Sequence, residues 1–252
     1  MRFALTLLYR NLIIARADAR YTFIRTVLQP AIYLLVFGLV VGRLMPNGAG
    51  GYGAIVAPGI IAISVVSAPL IAISSYLLTG YYFRTMEEWL LAPVSLRTVF
   101  LSMVFAGLCS SLVNALLVGG LAWAILGLVP QSPGLLLAVV SGGGLLFSLL
   151  VMLVLLIPER PEKGQELFAL LMMVMTFLGC TFYSLEMLDE PLRSLALLLP
   201  TTYVSEGLRA AYLPAGPHLA VRPLLLGLGL VTLALYPAAA WAFRRRLGHF
   251  TW

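Results

Sequence analysis

TVFLSMVFAGLCSSLVNALLVGGLAWAILGLVPQSPGLLLAVVSGGGLLFSLLVMLVLLIP, Thr98–Pro158, runs for 61 residues without one charged side chain. A helix crosses the hydrocarbon core of a bilayer in about 20 apolar residues, so the stretch is long enough for two crossings and must turn back on itself. VPQSPG, Val129–Gly134, is the strong turn signal in its middle. It separates a third span near Val99–Leu128 from a fourth near Leu135–Ile157. Composition agrees with a membrane protein: 10% of the residues are charged and 61% are hydrophobic, against roughly 25% charged in soluble domains.

Working outward, charged residues mark the limits of the other spans. Arg25 and Arg43 bracket a first span. A second is expected near Ile55–Thr79, after a glycine-rich lead-in from Asn47 to Gly53. Glu166 and Glu186 bracket a fifth, and Arg222 and Arg244 a sixth near Leu224–Phe243. Lipid offers backbone groups no partner, so only helices or closed barrels cross it. These runs do not alternate as barrel strands would. Six spans put both termini on one side. That side's segments hold Arg2, Arg10, Arg16, Arg20, Arg25, Arg84, Arg97, Arg160, Lys163, Arg244, Arg245 and Arg246, and the opposite side holds only Arg43, Arg193, Arg209 and Arg222. Cations concentrate on the cytoplasmic side, so both termini are expected there. Because the cations are spread over four segments, a nucleic-acid surface is not expected.

The expected fold is one all-α integral membrane domain over residues 1–252. Residues 1–24 are expected as an amphipathic helix lying in the cytoplasmic interface, with Phe3, Leu7, Ile14 and Tyr21 on one face and Arg2, Arg16 and Arg20 opposite. The apolar run Phe3–Leu8 is too short for a signal peptide. Cys109 and Cys180 sit in apolar stretches and read as small packing residues, with a disulfide or metal pair as the alternative.

Three segments differ from plain spans. The cytoplasmic loop YYFRTMEEWLLAPVSLR, Tyr81–Arg97, reads as a short helix over Phe83–Ala92 ended by Pro93. Arg84, Glu87, Glu88 and Leu91 share one side, and Met86, Trp89 and Leu90 another. It is either a solvated connector or a docking surface for a cytoplasmic partner, and the two carboxylates with a tryptophan favour docking. Between spans five and six, over 184–222, the apolar run Ser194–Leu199 lies between Pro191 and Pro200 and is too short to cross. A re-entrant hairpin dipping from the outer face fits, with Pro191 and Thr202 facing outside. TTYVSEGLRAAYL then reads as a helix carrying Glu206 and Arg209 at i, i+3. This pair either works at an outer gate or closes an interfacial helix. In the second span Ser64, Ser67, Ser74 and Ser75 share a stripe that either lines a cavity or lets helices pack closely, and Gly142–Gly144 read the same way.

MEEWLLAPVS (Met86–Ser95) and FYSLEML…LPTTYVSEGLRAAY (Phe182–Tyr212) carry a resemblance over nearly the whole chain. The chain resembles the membrane subunits of type-2 bacterial ABC exporters, which include permeases for nodulation factors, daunorubicin-type drugs and surface polysaccharides. The resemblance implies a multi-pass protein of the bacterial plasma membrane, paired with a second copy or a homologous permease. It implies a separate nucleotide-binding subunit that holds ATP and magnesium, so this chain is not itself expected to be an enzyme. Met86–Ser95 then corresponds to the coupling helix, with Arg84, Glu87, Glu88, Trp89, Leu91 and Pro93 meeting the ATPase. The second motif corresponds to the outer hairpin and gate, with Glu186, Pro191, Pro200, Tyr203, Glu206 and Arg209. The substrate path is expected along spans one, two and five, where Tyr33, Phe37, Ser67, Ser74, Met172 and Phe177 are the candidates.

The sequence holds no G-x-x-x-x-G-K-[ST] loop to cradle ATP phosphates. No Asp, Glu, Lys, Arg or His falls inside the spans drawn above, so neither a catalytic set nor a proton relay is expected there. No cofactor or metal is expected on this chain. The adaptable apolar wall of Met172, Met173 and Met175 points to an amphipathic or lipid-linked cargo such as a drug, natural product or glycolipid. An undecaprenyl-linked glycan and a non-ABC channel or scaffold are the alternatives.

Overall fold

Every regular element among the described residues is helical, and none is a strand. The computed structural model describes residues 27–44, 51–83, 95–158, 160–214 and 219–248. The interfacial helix expected over 1–24 and the loop helix with Arg84, Glu87, Glu88, Trp89, Leu91 and Pro93 lie outside these residues.

In chain order the helices are α1 (Val27–Val41), α2 (Gly51–Tyr82), α3 (Leu96–Leu126), α4 (Pro133–Leu156), α5 (Pro161–Leu178), α6 (Leu192–Leu198), α7 (Pro200–Tyr212) and α8 (Val221–Gly248). The second half of α1, Leu34–Val41, winds as a π-helix, and Gly42–Leu44 continues it. Where six crossings are expected from the sequence, four helices are long and apolar enough to span: α2, α3, α4 and α8. At about 1.5 Å per residue, the 24 residues of α4 already reach about 36 Å. The helices at the first and fifth expected spans are shorter. Glu162, Lys163 and Glu166 occupy the first two turns of α5, which leaves Leu167–Leu178 as its apolar part.

Local chemistry sets the ends. Ser95 caps α3 by accepting the Thr98 N–H at 3.3 Å. Gly127 ends it in the left-handed region at φ 68°. Proline begins α4, α5 and α7, where a missing N–H costs nothing. The Val129–Gly134 turn falls between α3 and α4, as its composition requires. Its Gln131 and Ser132 amides donate to the Ala211 carbonyl at 2.9 and 3.0 Å and so satisfy the end of α7.

The centre is built on α2 and α4, both buried along most of their length. α4 packs against α2, α3, α5, α7 and α8, and α2 packs against α1, α3, α4, α5 and α7. Pro69 in α2 has no N–H to give the Val65 carbonyl four residues earlier. The buried Ser111 hydroxyl of α3 supplies that donor instead, at 2.8 Å. The glycine run of α4 allows close packing: a Cβ on Gly144 would meet Ser111 at 2.9 Å, and one on Gly143 would meet Val204 at 2.9 Å. α3 and α8 leave most of their residues unburied, with Leu101, Leu116, Trp123, Leu226, Leu230 and Leu233 exposed on the surface. In a chain this apolar, that surface suits lipid.

Candidate functional site

The segment after α5 folds back through a turn at Leu185–Met187 into the short α6. α6 stops at Leu199, whose backbone is extended (φ −87°, ψ 127°) because the next residue is Pro200. The hydroxyls of Thr202 and Tyr203 then reach back from α7. Thr202 donates to the Ala196 carbonyl, and Tyr203 to the Leu197 carbonyl at 2.9 Å. Both carbonyls lie in the last turn of α6, where Ala196 also accepts the Leu199 N–H at 3.1 Å. Thr201 donates to the Met175 carbonyl of α5 at 3.2 Å. α6 and α7 thus form a helical hairpin sewn together by Thr202 and Tyr203, and Thr201 ties it to α5.

α7 is buried between α2 and α4 rather than lying on a surface, and Glu206 and Arg209 are both 0% exposed. Spacing of i, i+3 puts them on one face, where Arg209 Nη1 donates to Glu206 Oε1. Arg209 Nη2 donates to the carbonyls of Cys180 at 3.0 Å and Tyr183 at 3.1 Å, and Nε donates to the Ile55 carbonyl at 3.3 Å. Glu206 accepts the backbone N–H of Leu185 on Oε1 and that of Leu219 on Oε2, each at 3.1 Å. The pair therefore joins the start of α2, the loop after α5, α7 itself and the lead-in to α8. A buried pair is only tolerable when the remaining donors and acceptors are met, and here four guanidinium hydrogen bonds and both carboxylate oxygens are used.

Gly59 makes the same junction possible from α2. A Cβ there would lie 1.8 Å from the Thr181 carbonyl oxygen, so the helix backbone runs directly against the loop after α5. No other residue type fits at that separation.

Of the sequence candidates for this region, only Glu206 and Arg209 meet in the buried junction. Tyr203 is half-buried and holds the hairpin; Glu186 and Pro191 are exposed, and Pro200 begins α7. The path candidates divide into two groups. Tyr33 and Phe37 of α1 and Phe177 of α5 come together through Phe182, with ring centroids 6.1 Å (Tyr33–Phe182), 4.9 Å (Phe37–Phe182) and 6.1 Å (Phe177–Phe182) apart. Phe182 is not among the path residues expected from the sequence, although it opens the second motif. Its signal is its place immediately after the Cys180–Thr181 backbone that Arg209 and Gly59 fix. Met172 is half-buried on α5, and Phe177 is 60% exposed. Ser67 and Ser74 of α2 return their hydroxyls to their own helix, to the Ser64 and Ile71 carbonyls. They are not part of the aromatic group. Cys109 and Cys180 are both free thiols. Among the described residues, no three of His, Cys, Asp and Glu gather as a metal-binding group.

The model of the ABC-2 type transporter family matches residues 3–213, a stretch that takes in α1 through α7 with the whole ion-pair junction except Leu219. The inner membrane transport permease YadH of Escherichia coli (strain K12) is 24% identical over 193 residues, covering 76% of this chain and 75% of the relative. Its counterparts in Escherichia coli O157:H7 and Shigella flexneri align with the same values.

Proposed function

The chain belongs to the ABC-2 type transporter family, and on that premise we propose that it is the permease subunit of an ATP-driven exporter. It moves an amphipathic or lipid-linked substrate, such as a drug, natural product or glycolipid, out of the cytoplasm or inner leaflet. The observation that carries this reading is the family match, because it covers both the 84–94 segment and the buried Glu206–Arg209 junction. ATP and magnesium sit on a separate nucleotide-binding subunit. The protein crosses the inner membrane six times, with α1 and α5 as the two shorter crossings and both termini cytoplasmic. The name of the aligned relative, an inner membrane transport permease, supports the location.

Two physical features fit the reading. The residues joined by the ion pair, Ile55, Cys180, Tyr183, Leu185 and Leu219, all fall where the charge bias expects the outer side. Conversely, the Tyr82 hydroxyl at the end of α2 donates to Glu162 at the start of α5, on the expected cytoplasmic side. α2 and α5 are thus tied at both ends. α5 meanwhile exposes Leu167, Leu170, Met173, Val174 and Phe177 along one face. That face suits the wall of a substrate path shared with a second permease copy. The four-ring group beside it also favours a second reading, an undecaprenyl-linked glycan as cargo, since sugar faces stack on aromatic rings.

Coupling is tested at the 84–94 segment. In the assembled, reconstituted complex, Glu87→Lys with Glu88→Lys should leave membrane insertion intact and lower ATP-driven transport about tenfold or more while ATP hydrolysis continues. Unchanged assembly together with unchanged coupling would remove this segment from the ATPase contact.

A further inference from the structure

We propose that the cleft between the start of α3 and the end of α8 is a binding site for the headgroup of an anionic phospholipid. The cavity has a volume of about 270 Å³ and is lined by Leu96, Arg97 and Phe100 on one side and Tyr236, Phe243 and Arg244 on the other. Its walls are aromatic, with the Phe100 ring 5.8 Å from Tyr236 and 5.5 Å from Phe243. Its charged lining is of one sign: Arg97 and Arg244 line it, and no acidic residue does. Neither Arg97 nor Arg244 has a hydrogen-bonded or ionic partner among the described residues. Their neighbour Arg245 is already engaged, lying 5.1 Å over the Trp241 ring.

Chemistry selects the ligand. Two arginines lining one cleft, neither with a partner among the described residues, suit a phosphate oxygen pair, because the planar fork of a guanidinium matches phosphate geometry. The volume lies just below the about 300–1,000 Å³ of ligand pockets, so it takes a phosphate with its glycerol rather than a large soluble molecule. Beyond the cleft, Leu101 and Phe105 on α3 and Leu233 on α8 continue as exposed apolar surface, a track on which acyl chains can lie. The cleft is at the cation-rich end of the chain, where the cytoplasmic leaflet presents anionic lipid. Basic pockets between helices at that level are built to hold such headgroups.

The test uses the full chain purified in neutral detergent. Thermal unfolding is followed with phosphatidylglycerol, with phosphatidylcholine, or with inorganic phosphate added, and retained lipid is read by native mass spectrometry. The expected result is a rise in Tm of about 2–4 °C with phosphatidylglycerol and none with phosphatidylcholine. Retained phosphatidylglycerol should be visible on the wild type. Arg97→Gln with Arg244→Gln should lose both signals, and each single variant should lose part. Arg245→Gln removes the same charge from the same helix end and should keep both. Equal stabilisation by the two lipids would overturn the proposal. So would a double variant that still retains phosphatidylglycerol, or an Arg245→Gln loss as large as that of the double variant. A full response to inorganic phosphate alone would overturn the lipid assignment and give the cleft to a soluble phosphoryl group.

Discussion

At the scale of the residue, Arg209 matters most. Its guanidinium sits at 0% exposure with one carboxylate and three backbone carbonyls as acceptors. Removing one partner of such a pair leaves the other charge uncompensated, at about 3–5 kcal/mol. Arg209→Gln is therefore expected to lower unfolding stability by about 3–5 kcal/mol. Arg209→Lys keeps the charge but offers a point ammonium in place of a fork, and cannot reach four acceptors in one plane. Each hydrogen bond to a charged group is worth about 1.5–3 kcal/mol, so Lys should recover at most about half of the loss. If the pair also works as a gate, the variants that still assemble should transport poorly with altered basal ATP hydrolysis. Denaturant unfolding and transport measured on the same preparations check this. A lysine variant as stable as the wild type would show that the carbonyl contacts are not formed.

The pairing of Glu206 with Arg209 was readable, because both are charged and three residues apart. The rest of the junction was not. Ile55, Cys180 and Tyr183 contribute backbone carbonyls, which carry no side-chain signature, and Ile55 lies 154 residues away in sequence. Gly59 reads as one more small residue in a serine- and glycine-bearing helix until Thr181 is placed against it. Ser67 and Ser74 show the converse. A hydroxyl stripe is visible in sequence, but whether it faces a path or bonds its own helix depends on neighbours.

At the scale of the element, α6 and α7 carry the finding with most consequence. Proline spacing and the short apolar run were enough to expect a hairpin between Pro191 and Pro200. Thr202, placed at the outer mouth from sequence, is instead fully buried with its hydroxyl on Ala196. Probes of the hairpin therefore belong elsewhere. Leu198 is 80% exposed and Pro191 is also exposed. In a cysteine-free background, cysteines at these two positions should react with an impermeant maleimide added from outside, while a cysteine at Thr202 stays unreactive until the protein unfolds. Labelling of Leu198→Cys from the cytoplasmic side alone would invert the orientation. The crossing helices show how far charge limits reach: α2, α3 and α4 begin or end within a few residues of the spans expected, because turns and charges bound them. α1 and α5 were the hardest to delimit, since α5 carries three charges in its first six residues.

At the scale of the whole molecule, α2 and α4 make a buried centre, α3 and α8 present apolar residues outward, and α1 and α5 leave an apolar face uncovered, with Leu35, Leu170, Met173 and Phe177 on it. Under the proposed function this arrangement would serve as half of a transport path, with the centre as its fixed part, one flank against lipid and one face against a second permease copy. Within the described residues α2 and α5 are tied at both ends, by Tyr82 with Glu162 and by the Arg209 contacts to Ile55 and Cys180. Composition points to the membrane and the two motifs to the family, but how the centre is shared among helices required the packing itself. The most direct measurement is the composition of the complex extracted from its own membranes, by native mass spectrometry with ATP hydrolysis followed in parallel. The account predicts two permease copies, or one with a homologous permease, bound to two nucleotide-binding subunits, with vanadate-sensitive hydrolysis that is retained through purification. A chain that leaves its membranes as a lone monomer, with no ATPase bound and no hydrolysis, would contradict it.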